Sequence, residues 1–166
     1  PTLPTSVQAA GDGTSGTADG PRDKARFYEP RGVAVDTVNG GLVVADSASH
    51  TVRRISTAGV VTTLAGSGSS GSADGTGTEA SFNDPRGVAV AASGTIFVAE
   101  YQVSIRKVNP NDQVASVVVS GANLRAYQMA TDPAGRLYVA AKEDGQVLVI
   151  TSPLSAAAQT TLLSSP

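Results

Sequence analysis

Two stretches of this chain recur at one fixed distance. Gly16-Thr17-Ala18-Asp19-Gly20 returns as Gly71-Ser72-Ala73-Asp74-Gly75, and Pro30-Arg31-Gly32-Val33-Ala34-Val35 returns unchanged as Pro85-Arg86-Gly87-Val88-Ala89-Val90, both at an offset of 55 residues. The same offset pairs Ala10-Gly11 with Ala65-Gly66, Ala25 with Ala80, and Phe27 with Phe82. A constant offset across separated motifs requires a duplicated structural unit. Periods of about 20–50 residues or slightly more belong to solenoids, propellers and arrays.

Each unit holds four short apolar stretches. In the first they are residues 32–36, 42–46, 51–56 and 60–65, rich in Val, Ile and Thr and bounded by Gly, Asn or Asp. That pattern reads as strands, with Asn39-Gly40-Gly41 and Ala58-Gly59 as the tight turns between them. The second unit repeats the set with small slips, as in Ile96-Phe97-Val98-Ala99-Glu100 and Ile105-Arg106-Lys107-Val108. A third, degenerate copy supplies Gln128-Met129-Ala130-Thr131-Asp132, Leu137-Tyr138-Val139-Ala140, residues 146–150 and residues 160–163, and lacks the long Gly-rich loop. No segment keeps a 3.6-residue period over a helical length. Four strands per unit describe a propeller blade.

The expected fold class is therefore all-β: a partial β-propeller with four antiparallel strands per blade. Val33, Val35, Val88, Val90, Phe27 and Phe82 are expected in its core. The expected boundaries are 11–66, 67–121 and 122–166 for the three blades. Residues 1–10 align with a fourth strand, through Val7-Gln8-Ala9-Ala10 against Thr62-Thr63-Leu64-Ala65, and so read as the outer strand of a preceding blade. Three blades fall short of the 4–8 that close a ring. The expectation is a section of a longer chain, its open ends completed by flanking sequence or by a second copy.

Composition narrows the function classes. Charged residues make up 16% and the formal net charge is −2, which gives no general case for nucleic-acid or anionic-membrane binding. The chain has no cysteine and one histidine, which excludes disulfides, thiolate sites and multi-histidine zinc sites. No apolar run approaches the roughly 20 residues of a membrane span.

The order Asp-Gly, Ala-x-Phe, Pro-x-Gly-Val-Ala-Val, Val-Ala-Asp, His-x-Val-x-Arg-Ile and Val-Thr-Thr-Leu-Ala-Gly resembles an NHL-repeat β-propeller. The resemblance runs through nearly the whole chain and is strongest in the first two units. Ser49-His50-Thr51-Val52-Arg53-Arg54-Ile55 is similar to the Asn-His-Leu stretch that names the family, with Ser49 in the place of Asn. Such propellers usually carry six blades, so the resemblance implies about half a ring. It also implies several possible uses: protein-binding loop faces, a basic face for RNA or acidic peptides, or a channel metal in enzymes of lyase or lactonase type.

The candidate residues divide between these uses and plainer ones. The Gly-rich loops 11–20 and 66–77 lack the helix N-terminus or Lys-Ser/Thr pair of a phosphate cradle. Asp12, Asp19 and Asp74 lack EF-hand spacing, so turns between blades are expected there. His50, within the turn motif, is expected to be hydrogen-bonded structure. Asp36, Asp46 and Asp132 at strand ends are expected to accept backbone N–H bonds. Arg31 and Arg86 occupy equivalent positions before the first strand, and Arg53, Arg54, Arg106 and Lys107 repeat on the third. These six are the candidate partner-binding positions, against the alternative that each pairs with a nearby acid. The reading that results is a non-catalytic interaction module, without catalytic, metal or cofactor residues. Its loop faces would meet a protein partner within a larger extracellular or surface protein. A metal-dependent propeller enzyme and an RNA-binding face stand as alternatives.

Overall fold

The computed structural model describes residues 7–101, 104–109, 114–120, 126–141, 146–150 and 160–162. They form three antiparallel sheets, one per repeat unit, stacked face to face. The first contains β1 (Pro30–Val35), β2 (Leu42–Asp46), β3 (Thr51–Ile55) and β4 (Val61–Ala65) in chain order. In the second, β6 (Pro85–Val90), β7 (Ile96–Glu100), β8 (Ser104–Val108) and β9 (Val114–Ser120) follow the same order. It gains a fifth, outermost strand, β5 (Gly75–Thr76), from the Gly-rich loop. The third comprises β10 (Ala126–Thr131), β11 (Leu137–Ala141), β12 (Gln146–Ile150) and β13 (Thr160–Leu162).

The strand edges follow local chemistry. Pro30 and Pro85 open the innermost strands, where a missing N–H costs least because the strand lies at a sheet edge. In each sheet the register then slips by one residue, between Pro30 and Gly32, Pro85 and Gly87, and Ala126 and Gln128. A second shared slip separates Val52 from Arg53 and Ile105 from Arg106. Bulges that recur at equivalent places re-aim side chains and are part of the design of a fold. The second strands, β2 and β7, are buried along nearly all their length. β7 is covered by a sheet on each face, and β2 by the second sheet on one face and by Ala10, Ala25 and Phe27 on part of the other, so both read as continuous apolar runs rather than alternating ones.

Each sheet has two unlike faces. The face of β1–β3 bearing Ala34, Val43, Ala45 and Val52 packs against Val88, Val90, Ile96 and Val98 of the second sheet. The second sheet's opposite face, with Ala89, Phe97, Ala99 and Ile105, packs against Met129, Leu137, Val139 and Ile150 of the third. Phe82 and Ala80 are sealed between the first two sheets. The innermost strands β1, β6 and β10 lie side by side.

The core expectations require three corrections. Val88 and Phe82 are buried as expected and Val90 partly so, but Val33 is 63% exposed and Val35 62%. Phe27 is only half-buried. These residues face outward from the first sheet, and no sheet of the described residues lies over them. Residues 7–10 carry no strand pairing; Ala10 packs instead against the cluster of Ala25, Val44, Ile55 and Val61. Its Gly11 N–H donates to the Arg22 carbonyl as Gly66 donates to that of Gly77, so the aligned residues 10–11 and 65–66 hold equivalent places.

Candidate functional site

The chemistry of the described residues gathers at two places, a repeated buried clasp and one loop face. The clasp joins the Gly-rich loop to the third strand. Arg53 is 0% exposed and donates from Nη1 to Asp46 at 2.9 Å and to the Arg26 carbonyl at 3.1 Å. From Nη2 it donates to Asp19 at 2.5 Å and to the Ala18 carbonyl at 3.1 Å. Its guanidinium lies 5.2 Å from the centre of the Phe27 ring. Asp19 also accepts the Thr63 N–H at 2.8 Å, so one carboxylate ties the loop to both β3 and β4.

The second unit rebuilds the device. Arg106, equally buried, donates to Asp74 and to the Ala73 and Ser81 carbonyls and forms an ion pair with Glu100 at 3.6 Å, with Phe82 5.4 Å away. In both arginines Nε finds no partner. The third unit has lost every part at once. Leu148 occupies the register position of Arg53, Ala141 that of Asp46, and the loop is absent. Burial pushes the Asp46 carboxyl above its ordinary value, against the bonds from Ser49, Tyr28 and Arg53 that lower it.

The loop face lies where the innermost strands begin and the second strands turn into the third. Arg86 donates to Asp84 from Nε at 3.0 Å and from Nη2 at 2.7 Å, and from Nη1 to the Tyr127 hydroxyl at 3.3 Å. Its guanidinium sits 3.5 Å from the Tyr101 ring centre and 5.4 Å from that of Tyr127. The two rings meet edge to face at 6.4 Å. Partial burial is the largest influence and works against the Arg86 charge, but the bond and charge of Asp84, with Tyr127 and Tyr101, together outweigh it and hold the pKa above the usual value. Arg31, at the equivalent place, is exposed and pairs with Glu29 at 2.9 Å, and Tyr28 beside it is exposed.

Glu29 and Asp84 both adopt left-handed backbone, φ 53° and 47°, which turns the chain sharply into β1 and β6. The Asp84 N–H donates to His50 Nδ1 at 3.2 Å. His50, itself at φ 54°, thereby links the first sheet to the entry of the second.

The six basic positions of the sequence reading separate accordingly. Arg53 and Arg106 are withdrawn from any partner by complete burial, because the carboxylates and carbonyls around them use the charge inside the fold. Arg54 is partly buried and pairs with Asp36 at 2.7 Å. Lys107 stands at its equivalent, where Ala91 replaces the acid. Arg31 and Arg86 remain at the loop face, each neutralised by the acid two residues earlier. Asp36, Asp46 and Asp132 each accept a backbone N–H, from Asn39, Tyr28 and Arg136 respectively. Among the described residues no three His, Cys, Asp or Glu side chains converge as a metal site. The Gly-rich loops serve the clasp.

The sequence reading missed the couples Asp19–Arg53 and Asp74–Arg106. The signal was present: loop, strand-end acid and arginine occur together in two units and vanish together from the third.

Comparison with known proteins agrees with the geometry. The NHL repeat model matches residues 27–55, and the teneurin NHL domain model matches residues 69–161. Among curated proteins none matches. A chain of a nidogen/laminin complex superposes with a TM-score of 0.66 at 18% identity, covering 84% of this chain and 49% of that one. An auxiliary nutrient binding protein from Bacteroides thetaiotaomicron gives 0.68 at 18%, covering 95% and 37%. A gluconolactonase from Xanthomonas campestris gives 0.59 at 14%, covering 83% and 48%. At these identities the likeness shows the fold alone. The chain spans between a third and a half of the length of the solved structures it matches.

Proposed function

The chain belongs to the teneurin NHL domain family of NHL-repeat β-propellers, and on that premise we propose that it is a non-catalytic interaction module whose loop face binds a protein partner. The observation that carries this reading is the cluster of Arg86, Tyr101 and Tyr127, with Arg31 and Tyr28 beside it. Arg and Tyr dominate the residues that carry binding energy at protein interfaces, because each brings a large rigid contact area with a polar tip. Here Asp84 and the ring stacking already hold Arg86 in place, so little side-chain entropy is lost when a partner docks.

The pairing of Arg31 with Glu29 and of Arg86 with Asp84 supports a protein partner over RNA, since these loop-face cations are already neutralised and would release fewer counterions. The use of His50 and of the strand-end carboxylates in backbone bonds supports a non-catalytic role over a lyase or lactonase. A setting within a larger extracellular or surface protein is part of the proposal. Among the described residues no helix is long and apolar enough to cross a membrane.

The test is a binding screen of the immobilised chain against purified extracellular domains, run beside the double variant Arg86→Ala/Tyr101→Ala with its far-ultraviolet dichroism checked. Binding lost in the variant at least tenfold supports the reading. Binding indifferent to these residues, or turnover of a lactone substrate, overturns it.

A further inference from the structure

The two open faces of the stack are unlike, and one residue makes them incompatible. The outward face of the first sheet presents the exposed Val33 and Val35, and Val33, Leu42 and Val44 border a hollow closed on one side by Ala10 and Phe27. Its equivalent in the second sheet, Val88, Val90, Ile96 and Val98, is covered by the first sheet. The outward face of the third sheet presents Gln128, Ala130, Tyr138, Ala140 and Val147. These stand at the register positions of Gly32, Ala34, Val43, Ala45 and Val52, the residues that do the covering. By side-chain character alone, the third blade of one copy fits the first blade of another.

The inner strands forbid it. Gly32 has backbone where a side chain would go. A Cβ there would run into the Arg86 carbonyl oxygen and come within 3.1 Å of the Gly87 Cα. At Gly87 a Cβ would lie 2.8 Å from the Tyr127 carbonyl oxygen. Both internal blade contacts therefore close backbone to backbone over a glycine, at separations real Cβ atoms do not reach, and backbone cannot give way as a side-chain tip can. In the third sheet the same register position is Gln128, which faces solvent.

We propose that the outward face of the first sheet is a docking surface for a four-stranded blade carrying glycine at the position of Gly32 and Gly87, and that Gln128 bars a second copy of this chain from supplying that blade. The occupant has the chemistry of this chain's own first two blades: small residues on the covering face and a bare inner strand. The inference concerns the stacking face and is independent of the loop-face reading above.

The substitution Gln128→Gly turns the third blade into such an occupant. A head-to-tail contact either closes or runs on; two arcs of three blades give six, within the range at which propellers close, so association is expected to stop at two chains. By sedimentation equilibrium, Gln128→Gly is expected to associate at least tenfold more tightly than the parent chain. Gln128→Ala, which keeps a Cβ, is expected to behave like the parent. Val33→Glu on the exposed partner face is expected to abolish the gain. The proposal is overturned if Gln128→Gly associates no more tightly than the parent, if Gln128→Ala gains as much as Gln128→Gly, or if Val33→Glu leaves the association intact. Unchanged urea midpoints separate these outcomes from loss of fold.

Discussion

Replacing Arg53 by leucine, the residue that the third unit carries at that position, tests the clasp directly. Arg53 and Asp46 are both fully buried and 2.9 Å apart. Leucine removes the cation and strands the carboxylate, which keeps the Tyr28 N–H at 2.7 Å but loses its counter-charge. Removing one partner of a buried pair costs about 3–5 kcal/mol. The Asp19 end contributes much less, roughly 0–1 kcal/mol, because its carboxylate is half-exposed and screened by solvent. Urea unfolding at neutral pH should therefore show Arg53→Leu destabilised by about 3–5 kcal/mol.

Arg53→Leu combined with Asp46→Ala, the third unit's own solution, should recover most of that loss in a double-mutant cycle, because no buried charge is left alone. The pH dependence has a defined sign. Burial holds the folded-state pKa of Asp46 above its ordinary value, and without Arg53 it rises further. Protonation then favours the fold, so the penalty of Arg53→Leu should shrink as pH falls through that raised pKa. Arg106→Leu should cost less than Arg53→Leu. Glu100 lies 3.6 Å from Arg106 and keeps the Asn83 N–H at 2.7 Å and the Ser104 hydroxyl. A loss below about 1 kcal/mol for Arg53→Leu, no rescue by Asp46→Ala, or Arg106→Leu as costly as Arg53→Leu would refute the reasoning.

Three further outcomes are expected. Gly32→Ala should lose about 1–3 kcal/mol by overpacking, whereas Val33→Ala next to it, on the open face, should stay within about 0.5 kcal/mol; urea midpoints compare the two. His50→Ala should lose about 0.5–1.5 kcal/mol with the acceptor for the Asp84 N–H. His50→Asn should recover part of this, since Asn tolerates the left-handed backbone and offers an oxygen. The side-chain bond from Thr14, with that from Arg26, holds the Asp12 carboxyl at about 2. A depressed carboxyl stabilises the fold above its ordinary value of 3.8 and loses that contribution as pH falls through about 2. Carbon-detected titration should place Asp12 in that range, and Thr14→Ala should move it back upward.

Much of the architecture was legible in the amino-acid order. The duplicated motifs, the four apolar stretches per unit and the turn residues between them depend on interactions within a few residues, and the strands lie where those signals put them. The loop-to-arginine clasp was legible in principle, through its joint loss from the third unit, but its partners lie 34 and 32 residues apart and no local signal joins them. Exposure is where local information ends. Pro-Arg-Gly-Val-Ala-Val occurs twice, yet its first valine is 63% exposed in β1 and 3% in β6. The two hexapeptides have the same propensity, pleat and alternation; they differ in whether another sheet lies over them. Burial is a property of the neighbour as much as of the residue, and only the stacking order of the blades decides which copy has one.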